Sequence, residues 1–270
     1  MAAANARLMS SIGDTLLINV ISAYWDEHIH DLEIATHPVG TAEFFQELDA
    51  YRFNKLDYLP QVVDFAAFKD QRVLEVGCGA GIDLVRFARA GAQVTGVDLS
   101  KTAVRLAQQN FEQQGLTADF HVMNGEALQF PDNSFDTVYA HGVLQYTADP
   151  QQMISELHRV LRPGGPAILM VYNTYSWLLA LSKLMKVELE HEDAPVIRTF
   201  SIKVFKQMLG PFDRVQIIPE RFPVPSQLHH GLKVTLYNNL FVGAFNTLPR
   251  SWVRPFGWHL MAFAHKSEKT

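Results

Sequence analysis

Residues 72–100 read RVLEVGCGAGIDLVRFARAGAQVTGVDLS, and this stretch decides the fold. Its first apolar run, Val73, Leu74 and Val76, suits a strand buried on both faces, as in a parallel sheet. Gly77, Gly79 and Gly81 follow, where missing Cβ atoms let the chain turn tightly and approach a ligand closely. From Ile82 the period becomes helical, with Ile82, Val85, Phe87 and Ala88 toward one side, until Gly91 stops the helix. A second strand over 94–97 ends at Asp98, followed by Leu99. Strand, glycine loop, helix and strand with acids at both strand ends predict a unit for a nucleotide-like ligand.

The spacing separates two ligand types. A dinucleotide fingerprint, G-x-G-x-x-G, would put its third glycine at Ile82, whereas this chain reads G-x-G-x-G with Glu75 just ahead. A carboxylate there repels a pyrophosphate but suits a ligand bearing ammonium and sulfonium groups. Asp98, at the tip of the second strand, is placed to accept hydrogen bonds from both hydroxyls of a ribose.

With Glu75, the glycines and Asp98 together, the stretch resembles the class I S-adenosylmethionine (SAM)-dependent methyltransferases, of the small-molecule, type 11-like kind. The resemblance runs over residues 72–172. Ser100 caps a helix stopped by Gly115, a third strand lies over 120–123, and a fourth over 136–140. Asp149 and Pro150 open a helix that ends at Arg162, Pro163, Gly164 and Gly165, before a fifth strand over 167–172. Strands over 215–218 and 258–264 complete the set. The resemblance implies an α/β, Rossmann-like sheet of seven strands with the last antiparallel, and SAM as cofactor. It implies a cofactor site of Glu75, Gly77, Cys78, Gly79, Gly81, Asp98, Leu99, Asn124, Gly125, Glu126 and His141. Asn124 stands where the family usually has Asp to accept from the adenine amino group; its amide oxygen can still accept, and Glu126 takes the role if the register is one off. Tyr146 stands where many members have histidine, so a base cannot be carried over to that position.

Residues 1–68, rich in aromatics, histidine and acid around 22–68, form an N-terminal helical part, either a lid over the site or a cap on the sheet edge. The sequence begins with either a frayed amphipathic leader or a weak organelle-targeting segment. Thr41 caps a helix with Phe44, Phe45, Leu48 and Tyr51 on one face. Arg52 either pairs the methionine carboxylate of the cofactor or an acid such as Asp49 or Glu47. The group Asp26, Glu27, His28, His30 and Asp31 reads as a solvated polar turn, so no metal site is expected. The candidate bases are His141, which follows the fourth strand, and His37; His229 and His230 are further histidines on the substrate side.

The domain spanning 69–270 carries two substrate-side insertions, 173–210 and 219–256. The second is longer than the hairpin expected between the last strands, which suits a hydrophobic pocket, a dimer contact, a membrane-surface patch or core-covering packing.

Composition narrows the function. The net charge is −5 with no basic run, which argues against a nucleic-acid partner. One cysteine, Cys78, excludes an internal disulfide and any mechanism built on clustered thiolates, such as arsenic methylation, and suits the cytoplasm. No apolar stretch is long enough for a membrane span, leaving peripheral membrane contact open. The expectation is a SAM-dependent methyltransferase, monomer or homodimer, acting on a small molecule with an apolar or aromatic portion, an oxygen acceptor slightly favoured over nitrogen or carbon. The alternative is a non-catalytic SAM-binding subunit that regulates a partner.

Overall fold

A computed structural model describes residues 2–186, 189, 191–225, 235 and 237–268. Helix α1 spans Ala2–Glu27 and α2 spans Ala42–Lys55, with a short turn of helix, α3, over Leu59–Val62. Then β1 (Arg72–Val76) leads through the glycine loop into α4 (Ile82–Arg89), β2 (Gln93–Asp98), α5 (Lys101–Gln113) and β3 (Asp119–Val122). The second half runs β4 (Thr137–His141), α6 (Pro150–Val160), β5 (Pro166–Tyr172), α7 (Trp177–Met185) and α8 (Ile202–Met208). β6 (Asp213–Glu220) and β7 (His259–His265) close it. The seven strands lie in the order β3-β2-β1-β4-β5-β7-β6, with only β7 antiparallel to its neighbours. That is the expected sheet.

Caps form where the sequence puts them. Thr41, Ser100, Asp149 and Ser201 each accept a backbone N–H from the first turn of the helix they precede. The strand period of two divides the core. Leu74, Val138, Ala140, Leu169, Val171, Leu260 and Ala262 pack on one face against α6 and α8, with Met153, Ile154, Leu157 and Phe205. Val73, Tyr139, Ile168, Met170, Tyr172 and Met261 pack on the other, with Leu84, Val85 and Phe87 of α4.

That alternation also selects the site. Glu75 shares the face of Val73, His141 that of Tyr139, and His259 that of Met261. Register steps them diagonally across the sheet: Glu75 pairs with Tyr139, His141 lies two residues on and pairs with Met170, and Tyr172, two further on, pairs with His259. Because β7 is antiparallel, its first residue lies at the end where β5 finishes, so His259 joins the carboxyl edge where open α/β sheets bind ligands.

The N-terminal segment docks on the glycine-loop side. α1 packs against α5, and α2 against α4 and α5. Ser22 Oγ donates to the Leu99 carbonyl at 3.2 Å, and Asp26 accepts from Ser100 Oγ at 2.8 Å and Thr102 N at 3.1 Å. The opening residues are the first half of α1, whose second half brings Ile18, Ile21 and Trp25 to the cavity. In the second insertion, Phe222, Val242 and Val253 are buried, and Trp177 of α7 packs on Tyr237, Phe241 and Phe245.

Candidate active site

A cavity opens above the carboxyl edge of β1, β2, β4 and β5, roofed by α1 and α2. Its first half belongs to the glycine loop. Glu75, Gly77, Cys78, Gly79, Asp98, Leu99, Asn124, Gly125, Glu126 and His141 all line it. Gly81 does not; it is the N-cap of α4 at φ 73°, and it sets the path of the loop. Gly77 has φ 74°, and a Cβ there would stand 1.9 Å from Val143 Cγ2. Gly79 has φ 53° and nothing within 4 Å of a Cβ position. Its bare side therefore faces open space beside the acids.

The acids differ in state. Asp98 accepts from Gly79 N and Ser100 N, both at 2.9 Å, so one carboxylate oxygen is committed to each, with lone pairs left over. Burial pushes its carboxyl up, against the pull of those two N–H groups. Glu75 is 4% exposed, and its Oε2 has no hydrogen-bond partner among the described residues. Burial, and then the neighbouring Asp83, push the Glu75 carboxyl well above the usual range. Asn124 Oδ1 accepts from Glu126 N at 3.0 Å, and Glu126 accepts from Ala148 N at 2.7 Å.

The other half holds a polar chain that the sequence did not disclose. Arg52, on α2, makes a bidentate pair with Asp83, whose Oδ2 also accepts from Tyr139 Oη at 2.8 Å. Burial raises the Asp83 carboxyl, but Arg52 more than reverses this and holds it below the ordinary value. Arg52 Nη2 lies 3.2 Å from His141 Nδ1. His141 Nε2 lies 3.2 Å from Tyr58 Oη, which is 2.6 Å from His259 Nδ1, and His259 Nε2 is 3.1 Å from Arg221 Nη1.

Arginine can only donate, and this fixes the protons along the chain. His141 Nδ1 accepts from Arg52 and His259 Nε2 accepts from Arg221. Both imidazoles are held neutral, His141 at about 3 by burial and then Arg52, and His259 well down by burial and then Arg221. Each therefore carries its single proton on the opposite nitrogen, and both N–H groups point at Tyr58 Oη. The phenol O–H turns to Met261 Sδ at 3.8 Å.

These contacts revise the sequence-based expectations. His141 lines the cavity, with Arg52 Nη2 and Tyr58 Oη each 3.2 Å from one of its ring nitrogens, and it is held neutral. His37 lies outside the cavity; its side chain is 50% exposed and pairs with Glu47 at 2.9 Å, because the turn before α2 faces solvent. Arg52 lines the cavity and does not pair with the suggested acids. Its guanidinium is taken by Asp83, Asp49 by Arg86, and Glu47 by Thr36 and His37. His30 and Asp31, assigned to a solvated turn, line the cavity, with His30 Nδ1 2.8 Å from His191 Nε2. His229 and His230 lie outside the described residues. Among the described residues no group of three or more His, Cys, Asp or Glu could hold a metal, and no helix is long and apolar enough to cross a membrane.

Residues 74–169, the glycine loop through β5, match the family described as a methyltransferase domain. Over that stretch the chain is similar to methyltransferase domains. The chain is 34% identical over 160 residues to a ubiquinone biosynthesis O-methyltransferase of Cereibacter sphaeroides, covering 54% of this chain and 65% of that protein. A protein of the same name from Coxiella burnetii is 34% identical over 111 residues, 41% of this chain and 46% of its own. The chain thus spans less than two thirds of each of these relatives. In fold, the chain resembles magnesium protoporphyrin IX methyltransferase from Synechocystis with bound SAH, at TM-score 0.61 and 17% identity, covering 92% of this chain and 99% of that one. It also resembles the [4+2]-cyclase SpnF, at TM-score 0.57 and 20% identity, covering 92% and 96%. The methyltransferase cofactor, SAM, fits the cavity's first half. The orphaned Glu75 oxygen suits its cationic amino-acid end, Asp98 has lone pairs for a diol, and the bare side of Gly79 leaves room between them.

Proposed function

We propose that this chain transfers a methyl group from SAM to a small molecule with an apolar or aromatic portion, with an oxygen acceptor favoured. The observation that carries the reading is Glu75 Oε2, buried and unpartnered at the mouth of the glycine loop, with Asp98 beyond it. Bound SAM supplies an electrophilic methyl carbon on a sulfonium.

The chain's own residues bind, orient and exclude water. Asp98 accepts from the ribose hydroxyls, and Asn124, or Glu126 beside it, accepts from the adenine amino group. Glu75, ionised by a cationic neighbour, holds the amino-acid end. Trp25 meets Tyr146 edge-on at 4.9 Å, Tyr146 Oη donates to Tyr172 Oη at 3.2 Å, and Tyr172 stacks on Trp258 at 4.3 Å. Trp25, Tyr146 and Tyr172, which line the cavity, form an aromatic wall for the acceptor backed by Trp258 and, with Ile21 and Leu48, keep water out. Orientation of this kind supplies roughly 7–11 kcal/mol of a displacement barrier. His141 positions Tyr58 and the acceptor side of the cavity. An acceptor that arrives as an anion needs no proton removed, which suits a sheet-side pair of histidines with no free nitrogen.

The single buried Cys78 supports a cytoplasmic setting. The chain is proposed to act as a monomer or homodimer, and the aromatic wall leaves peripheral membrane contact compatible with an apolar acceptor.

Calorimetry with SAM and its demethylated product is the first test, followed by labelled SAM with metabolite extracts. Micromolar binding and transfer of label are expected. No binding of either compound at millimolar concentration overturns the reading. Binding without transfer to any extract would leave the regulatory SAM-binding subunit.

A further inference from the structure

Among the described residues, Arg221 is a cavity cation that no carboxylate neutralises. It follows β6, whose last residue, Glu220, pairs in register with His259, and it lines the cavity beyond β7, on the far side from Asp98. The other two cations of the cavity are spoken for, Arg52 by Asp83 and Lys55 by Asp31 at 2.8 Å. Glu220, the nearest acid in sequence, takes Arg254 at 3.2 Å instead. Among the described residues Arg221 has no ion pair, and its side chain makes one hydrogen bond, from Nη1 to His259 Nε2 at 3.1 Å.

The backbone holds it there. Arg221 has φ 60°, a left-handed conformation disfavoured for a residue with a side chain, and its carbonyl accepts from Trp177 Nε1 at 2.9 Å and Trp258 N at 3.2 Å. A guanidinium has five N–H donors in a planar fork that matches a carboxylate, and one bond to imidazole leaves most of them unused. The histidine behind it is held neutral and spends its only proton on Tyr58, so it neither neutralises nor competes with an anion.

We propose that Arg221 is an anion-binding residue of the acceptor subsite, and that the acceptor carries a carboxylate. The carboxylate pairs with the free edge of the guanidinium while the apolar part of the molecule lies against Tyr146, Tyr172 and Trp25. Calling this molecule the acceptor rests on the methyltransferase reading; the anion site itself does not.

The test uses the full chain with benzoate and its uncharged isostere benzamide as probes, titrated by calorimetry or ligand-observed NMR with and without saturating S-adenosylhomocysteine. Benzoate is expected to bind at least about tenfold more tightly than benzamide. Arg221→Gln should remove that preference with S-adenosylhomocysteine affinity kept within about twofold, and Arg221→Lys should retain part of it. Equal binding of the two probes by the unaltered chain, no benzoate binding at millimolar concentration, or a preference that survives in folded Arg221→Gln overturns the proposal. The unaltered chain alone decides the first two outcomes, whether or not the variant folds. A benzoate preference without any S-adenosylhomocysteine binding would sink the methyltransferase reading and leave the anion site standing.

Discussion

Arg52 and Asp83, 31 residues apart, form a bidentate ion pair that joins the roof helix α2 to the first turn of α4, with the Asp83 side chain 1% exposed. The pair ties the roof of the cavity to the helix that carries the glycine loop, so roof and loop form one mechanical unit. Removing one partner leaves a buried charge uncompensated. Arg52→Met or Asp83→Asn should each cost about 3–5 kcal/mol in urea unfolding. The double variant Arg52→Met/Asp83→Asn should cost clearly less than the sum. Additive losses would show that the two side chains do not act as a pair.

Gly77 and Gly79 separate stability from binding. A Cβ at Gly77 collides with Val143, whereas one at Gly79 projects into empty space. Gly77→Ala should lower stability sharply. Gly79→Ala should bring only the strain of its positive φ, about 1 kcal/mol, and weaken S-adenosylhomocysteine by tenfold or more. Thermal melts and calorimetry on the two variants check this, and equal affinity losses with equal melting points would contradict it.

Cofactor binding should release a proton from Glu75. Burial and Asp83 raise its carboxyl, and a cation beside it favours the ionised form. Between the two pKa values SAM therefore displaces up to one proton. Calorimetric enthalpies in buffers of different ionisation enthalpy measure this, and Glu75→Gln should lose the buffer dependence. A dependence unchanged in Glu75→Gln would assign the proton elsewhere.

Acid should destabilise the chain through its buried imidazoles. His259 and His141 have depressed values in the folded state, so their contribution is complete above the ordinary histidine value of about 6.5 and falls away as pH drops toward the folded values. Each accounts for about 1.4 kcal/mol per pH unit in that window, and Glu75, raised in the folded state, works in the opposite direction. His259→Gln should flatten the fall in unfolding free energy between about pH 6 and pH 5 by that amount. A slope identical to the parent chain's would remove His259 from the account.

The cofactor half was legible because its chemistry lies in local sequence. Glu75, the glycines and Asp98 fall within one strand–loop–helix–strand unit, and caps such as Thr41, Ser100 and Asp149 announce themselves within three residues. The acceptor half was not, because it is assembled from distant segments. Tyr58 meets His259 across 201 residues and Arg52 meets His141 across 89, distances at which spacing carries no information. His37 misled for the same reason, since only the packing of α2 shows that its turn faces solvent. One signal was present but unread. An antiparallel last strand must begin at the edge where the parallel strands end, which marks His259, the first residue of that strand, as a site residue.

The order β5-β7-β6 also has a consequence for synthesis. β6 leaves the ribosome before β7, yet its only neighbour in the sheet is β7, which must enter between it and β5. Until the final strand arrives, β6 has nothing to pair with, and both His259 and the pairing that fixes Glu220 ahead of Arg221 are missing. The nascent chain therefore possesses a nucleotide loop before it possesses a floor for a second molecule, and its two half-sites come into being seconds apart at about 5–20 residues per second.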